Sequence, residues 1–370
     1  MPSPDLFSYT PAVSAALLPD RFQKWFAARG WAAREHQLAL LGKARDNRSA
    51  LLIAPTGAGK TLAGFLPTLV ELSSPMAADG KSLVSTGRGV KRSGGLHTLY
   101  ISPLKALAVD IARNLDTPIA EMGLPIKVET RTGDTPVSRR QRQRRYPPDI
   151  LLTTPEQLAL LLASDDAPYL FSSLKRIVLD ELHALVTSKR GDLLSLGLAR
   201  LWQLAPNVTT TGLSATVAFP DDLRRYLVPQ SSTRENLADL VVADAGAAPI
   251  VEMLDTKERL PWAGHMARHA LGEIYDLIKR NKTSLIFVNT RAQAEMLFQD
   301  LWRMNDDNLA IALHHGSLDV AQRRKVEDAM AAGKLRGVVC TSSLDLGIDW
   351  GDIDLVITVG APKGASRLMQ

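Results

Sequence analysis

The 370-residue chain is 45% hydrophobic and 22% charged, long enough for two domains with full cores. Its 44 basic and 39 acidic residues leave a net charge of +5, which suits a polyanionic partner without requiring one, and its single cysteine, Cys340, excludes an internal disulfide framework. No apolar run approaches the ~20 residues that span a bilayer, and the start M-P-S-P-D lacks a basic stretch followed by an apolar one, so the expectation is a cytoplasmic protein with no membrane partner.

In chain order, short apolar runs at 50–54, 97–102, 149–153 and 176–180 predict buried strands, with helical patterns between them at Leu62 to Leu72 and Leu104 to Leu115. Ser73 to Gly95, rich in Ser, Gly, Lys and Arg and without periodicity, reads as a surface insertion. The run R-R-Q-R-Q-R-R at 139–145 is either a solvated helix face or a phosphate-contacting one. Around 244–262 the composition changes, which predicts a crossing between domains 1–245 and 246–370. Strands at 284–288, 336–341 and 354–359 and a helix from Arg291 to Met304 follow. Strands alternating with helices predict a parallel α/β fold in both parts.

The chemistry concentrates at two places. Ala54 to Thr61 reads A-P-T-G-A-G-K-T between a strand and an apolar helix. In that context Gly57 and Gly59 let the backbone N–H groups of Thr56 to Thr61, Ala58 among them, curl around phosphates. Lys60 reaches the β- and γ-phosphates and the Thr61 hydroxyl ligates Mg²⁺. Asp180 ends the strand I-V-L and supplies a second metal ligand, and Glu181 beside it is placed to activate water. A competing reading makes Asp-Glu a helix N-cap. ATP and Mg²⁺ are the expected cofactors. His183 alone would be a packing histidine, and its spacing from Glu181 gives it weight. Ser214 and Thr216, after Leu213, are expected to couple the γ-phosphate to the Asp180 and His183 region.

These residues, in this order, resemble the DExH-box helicases of superfamily 2 over nearly the whole chain, from about Leu18 onward. The resemblance implies a core of two RecA-like domains, the first carrying a Q-motif region at 18–37 in which Gln37 reads adenine. S-P-L-K-A-L at 102–107, R-T-G-D-T at 131–135 and T-T-P-E at 153–156 are similar to motifs Ia, Ib and Ic. By that likeness Pro103, Lys105, Thr132, Gly133, Thr153 and Thr154 hold a nucleic-acid backbone through hydroxyls, N–H groups and single cations that read no bases. F-V-N-T-R at 287–291 is similar to motif IV, which adds Thr290. H-H-G-S at 314–317 adds His315, Gly316 and Ser317. T-S-S-L-D-L-G-I-D at 341–349 is similar to motif V, in which Thr341 meets the backbone while Gly347 and Asp349 face the nucleotide.

Within superfamily 2 the stretches L-H-T-L-Y-I-S-P-L-K-A-L-A-V-D, R-T-G-D-T-P and T-T-P-E-Q-L resemble the Lhr (large helicase-related) family, and most of all its bacterial branch associated with a DNA ligase and a nuclease in damage repair. That implies an ATP-dependent helicase moving 3′-to-5′ on single-stranded DNA, with partly duplex DNA or RNA:DNA hybrids as substrates. Family members continue past Gln370 into a motif whose arginines reach the γ-phosphate. The expectation is therefore an N-terminal fragment, its second domain incomplete and its hydrolysis impaired. An ATP-gated nucleic-acid binding module without turnover, an RNA-directed helicase and a small-molecule P-loop kinase are the alternatives. A second α/β domain with a motif V likeness disfavours the kinase.

Overall fold

The computed structural model describes residues 17–55, 57–73, 95–215, 217, 219–233, 235–244, 250–254, 256, 267–341, 344 and 353–360. The chain divides into two compact units, Met1–Gly246 and Ala247–Gln370.

In the first unit, β1 (Ala50–Ile53), β2 (Thr98–Ile101), β3 (Val128–Arg131), β4 (Ile150–Thr153), β5 (Arg176–Leu179), β6 (Thr209–Ser214) and β7 (Asp239–Val242) form one sheet in the order β3-β4-β2-β5-β6-β1-β7. Every pairing is parallel, with Leu52 opposite Leu213 and Ile101 opposite Leu179. Parallel strands need crossovers, and here helices supply them on both faces, which is why the central strands read as unbroken apolar runs.

Side chains alternate between two cores. Ala50, Leu52, Tyr100, Ile150, Leu152 and Val178 face one core; Leu51, Leu99, Ile101, Leu151 and Ile177 face the other. The first core is closed by α1 (Asp20–Ala28), α2 (Glu35–Arg45), α3 (Lys60–Ser73) and α4 (Lys105–Glu121) through Phe22, Leu41, Phe65 and Ile111. Next in the chain come α5 (Val137–Arg145), α6 (Pro155–Leu162), α7 (Ala167–Phe171), α8 (Leu182–Val186), α9 (Lys189–Leu204) and α10 (Pro220–Tyr226). Leu158, Phe171, Leu198 and Leu223 from four of these close the second core. Each such buried side chain contributes about 1.5–3 kcal/mol.

The second unit holds β8 (Ser284–Val288), β9 (Ile311–His314), β10 (Gly337–Cys340) and β11 (Leu355–Val359) in the order β11-β8-β10-β9, again all parallel. Helices α11 (Leu271–Arg280), α12 (Arg291–Arg303) and α13 (Val320–Ala331) accompany it. Ile274, Ile286, Leu301 and Val339 form one core cluster, while Leu285, Met330, Val338 and the thiol-bearing Cys340 form another.

Among the described residues, seven of the eleven strands fall where the apolar runs predict them. Strands β3, β6, β7 and β9 lie outside the predicted runs: β6 is T-T-T-G-L-S, β3 and β7 are edge strands that bury less, and β9, I-A-L-H, is apolar but not among the predicted strands. Helix α4 extends to Glu121, past the expected Leu115, with Pro118 accommodated inside it. Most of the surface insertion, residues 74–94, lies outside the described residues. Among the described residues no helix is long and apolar enough to cross a membrane.

Candidate active site

The phosphate loop leaves β1 at the carboxyl edge of the sheet and enters α3, and it is held from behind by the start of α2. Gly57 and Gly59 take φ of 76° and 75°, values that favour glycine. The carbonyl of Gly57 accepts from Arg34 Nη1 (3.2 Å), that of Ala58 lies 2.9 Å from His36 Nε2, and that of Gly59 accepts from Gln37 Nε2 (3.4 Å). Three successive carbonyls are thus turned back toward α2. Gln37 Oε1 in turn accepts from the Arg34 N–H (2.9 Å), so both ends of this buried amide are engaged within the chain. Arg34 and His36 have no counterpart in the sequence reading, because a brace across 22 residues leaves no local pattern.

Lys60 is buried at the first position of α3 and, among the described residues, has no carboxylate within ion-pair distance, while Thr61 follows it on the same turn. Asp180 emerges from β5. Its Oδ2 accepts from the Tyr100 hydroxyl (2.6 Å) and its Oδ1 from the Glu181 N–H (2.8 Å). Glu181 is left-handed (φ 47°, ψ 44°), an uncommon state for a non-glycine residue that costs about 1–2 kcal/mol. It occupies the N-cap position of α8 but its side chain caps nothing. The capping reading therefore does not describe this carboxylate, which instead lies 3.4 Å from His183 Nε2. The Ala215 N–H donates to His183 Nδ1 (3.3 Å), which puts the ring proton on Nε2, toward Glu181. Ser214 Oγ sits 3.1 Å from the same Nδ1. Ser214, His183 and Glu181 therefore form one connected line from the end of β6 to the end of β5.

Burial, then the neighbouring Glu181 carboxylate, raises Asp180 above the ordinary aspartate range; burial raises Glu181, with the Lys60 cation opposing. Burial, assisted by Lys60, lowers His183 to about 4, so the ring is neutral at physiological pH. A buried lysine without a carboxylate partner and two carboxylates reluctant to ionise make a donor set that fits a Mg²⁺-bound nucleotide: phosphates would answer Lys60, and a cation would answer Asp180.

A pH dependence follows. A raised folded-state pKa means that the folded chain holds a proton the unfolded chain has lost, so stability falls as pH rises from 3.8, the ordinary aspartate value, to about 6. Asp180→Asn should remove that loss. Its amide still accepts the Glu181 N–H and can donate to the Tyr100 oxygen. We expect a melting-temperature gain of about 5 °C at pH 7.5 and about a third of that at pH 4.5. Equal gains at both pH values, measured by differential scanning fluorimetry, would contradict the assignment.

The other site residues share this edge. In sheet order, β5, β6 and β1 carry the phosphate-loop half, and β3, β4 and β2 end at Arg131, Thr153 and Ile101, with Thr132, Thr154 and Ser102 directly after them. Lys105 reaches over Gly133, so that a Cβ there would lie 2.9 Å from its Nζ, and pairs with Asp134 (3.1 Å). Arg190, absent from the sequence reading, joins the Pro103 carbonyl (2.6 Å) to the Glu156 carboxylate. Its guanidinium holds Glu156 down at about 2. Thr154 is buried at the N-cap of α6. Thr153 is fully buried and its hydroxyl donates to the Arg131 carbonyl (2.8 Å), so it supports the Thr132 turn from beneath rather than standing at the surface. Within α5, Arg140 donates to the carbonyls of Thr132 (3.2 Å), Gly133 (2.6 Å) and Thr135 (2.8 Å), and Arg142 pairs with Glu129. The basic run is neither a purely solvated face nor purely a phosphate-facing one: part of it builds the turn.

In the second unit, Thr290 caps α12 through Gln293 (3.2 Å), and exposed Gly316 and Ser317 follow the end of β9. Buried His315 accepts from the Ser317 N–H through Nδ1 (3.2 Å), and Thr341 follows β10. All five stand at the carboxyl edge of their own sheet. Thr56, Thr216, Gly347 and Asp349 lie outside the described residues.

Comparison with known proteins agrees with this geometry. Residues 34–223 match the DEAD/DEAH box helicase model, and residues 267–370 the helicase conserved C-terminal domain. The chain belongs to the DEAD/DEAH box helicase family. It is 35% identical to the Lhr helicase/probable uracil glycosylase of Mycolicibacterium smegmatis, over 94% of this chain and 25% of that protein. It is 34% identical to the ATP-dependent helicase Lhr-Core of Methanothermobacter thermautotrophicus, over 98% of this chain and 42% of that protein. The Lhr resemblance read from the motifs is thus matched by relatives of that name. The structure of Mycobacterium smegmatis helicase Lhr bound to ssDNA and AMP-PNP superposes with a TM-score of 0.75 at 34% identity, covering 96% of this chain and 46% of that one. The two parallel sheets are RecA-like helicase domains, and the chain spans less than half the length of these relatives.

Proposed function

We propose that this chain is the ATP-driven strand-gripping part of a DNA helicase. The observation that carries this reading is the division of one sheet edge: a phosphate loop with Asp180 and Glu181 on one half, and the Lys105, Gly133 and Thr154 cluster on the other. Lys60, Gly57, Ala58 and Gly59 would hold the phosphates, and Thr61 and Asp180 would hold Mg²⁺, which neutralises phosphate charge when bound. Glu181 orients and deprotonates the attacking water. The line Glu181–His183–Ser214 links that event to the strand between the two halves of the edge.

The strand is single-stranded DNA on this reading, as in the solved Lhr complex. Movement 3′-to-5′, a part in DNA repair alongside a ligase and a nuclease, and action on RNA:DNA hybrids extend the same proposal. Contacts to phosphates through hydroxyls, N–H groups and single lysines carry no base information. Affinity for single strands should therefore depend little on sequence and fall steeply with salt, by a slope of about −0.7 per phosphate contacted. ATP turnover with single-stranded DNA, single-stranded RNA and no polymer tests the proposal together with that salt series. Stimulation by DNA supports it; turnover indifferent to any polymer, or a flat salt response, removes it.

A further inference from the structure

Helix α5 leaves one part of its surface unexplained. Between β3, α5 and α6 lies a cavity of about 340 Å³ lined by Arg131, Arg140, Arg144 and Gln157, with Val137 and Leu160 as apolar walls. Arg131 is 4% exposed. Of its five donors, Nη1 bonds the Arg140 carbonyl (3.3 Å), while Nε is buried without an acceptor. Among the described residues no carboxylate lies within ion-pair distance of it. The nearby Glu129 is already taken by Lys127, Arg142 and Gln143, and Asp166 reaches only the outer end of Arg144, at 3.7 Å. Arg144 Nε is likewise buried and unmatched. Burial, then the Arg144 and Arg140 cations, lowers Arg131 to about 10.

A buried guanidinium without a counter-ion is among the least favourable groups a fold can hold, and removing its need for an anion is what a ligand would do. We propose that Arg131, Arg140 and Arg144 form a phosphate-binding pocket, distinct from the phosphate loop and beside the Thr132–Asp134 turn. Guanidinium forks suit phosphate oxygens, and the mouth between Val137 and Leu160 is open to solvent, both residues being exposed. Two sources offer this chemistry: free inorganic phosphate, or a phosphodiester of a nucleic-acid strand running past the turn that Arg140 braces. The second source rests on the helicase reading; the pocket does not.

The test uses the whole chain with its phosphate loop filled by AMP-PNP and Mg²⁺, so that added phosphate is read elsewhere. At matched ionic strength, phosphate in place of chloride should raise the wild-type melting temperature by about 3 °C. Arg131→Met should melt no lower than wild type in chloride and lose the response. Arg144→Gln, at a side chain that is 41% exposed, should fold normally and lose most of it. Binding of a short oligothymidylate across a salt series distinguishes the sources. A slope shallower by about 0.7 in both variants assigns the pocket to the strand, and an unchanged slope with the phosphate response lost assigns it to free phosphate. A phosphate response that survives in Arg144→Gln overturns the proposal, as does one that survives in a destabilised Arg131→Met. Failure of the wild type to bind oligothymidylate would remove the helicase reading, while the phosphate series would still decide the pocket.

Discussion

Glu181→Gln should lower ATP turnover by about 10²–10⁴-fold and leave nucleotide affinity nearly unchanged. Asp180 and Glu181 are adjacent, yet their surroundings differ. Asp180 is fixed by the Tyr100 hydroxyl and by the Glu181 N–H, the posture of a group that holds a cation in one place. Glu181 is turned into the left-handed region, caps no helix and faces His183, so its carboxylate is directed by strain rather than by packing need. Burial raises its pKa toward the operating pH, where a general base works best. Glutamine keeps the shape and an acceptor toward His183 Nε2 but takes no proton. Nucleotide titration and single-turnover hydrolysis, both with single-stranded DNA present, separate binding from chemistry. Turnover within about threefold of wild type would show that Glu181 is not the base.

The parts of this site that were legible in the sequence are those whose spacing is local. Gly57, Gly59, Lys60 and Thr61 must follow one another to wrap a phosphate, and Asp180 must end a buried strand, so both motifs survive as short strings. Strands β1, β2, β4 and β5 were legible for a related reason: buried on both faces, they have no polar alternation to blur them. Strand β6 was not, since its three threonines break the apolar run, and one of them, Thr209, is engaged through a long-range bond from Arg176 Nη1 to its Oγ1 (2.5 Å). The supports of the site were invisible for the same reason. Tyr100 reads as one more apolar strand residue until β2 lies beside β5, and only then does its hydroxyl meet Asp180, 80 residues away. Arg140 reads as one charge in a basic run until α5 folds over the Thr132 turn. Local sequence names the groups that act, and tertiary contacts choose the ones that aim them.

Gly59→Ala should weaken nucleotide binding by about 100-fold, and Gly57→Ala by only about 10-fold, although both glycines have nearly the same positive φ. Each substitution forces a side chain into the left-handed region, at about 1–2 kcal/mol. A Cβ on Gly57 meets nothing within 4 Å, so strain is the whole cost there. A Cβ on Gly59 lies 2.9 Å from Gln37 Nε2. That amide cannot swing aside freely, because Gln37 is buried, its Oε1 holds the Arg34 N–H and its Nε2 holds the Gly59 carbonyl. The collision is therefore resolved by moving the loop, which displaces the backbone that must face the phosphates, or by breaking the start of α2. The second cost has a signature that the first lacks. Gln37→Ala opens the space, so a double-mutant cycle between positions 37 and 59 should show a favourable coupling of about 1 kcal/mol or more, and the cycle between 37 and 57 almost none. Titration with a fluorescent ATP analogue across the single and double variants, each checked for folding by its melting curve, supplies the numbers. Equal losses at 57 and 59, with additivity in both cycles, would mean that α2 does not brace the loop.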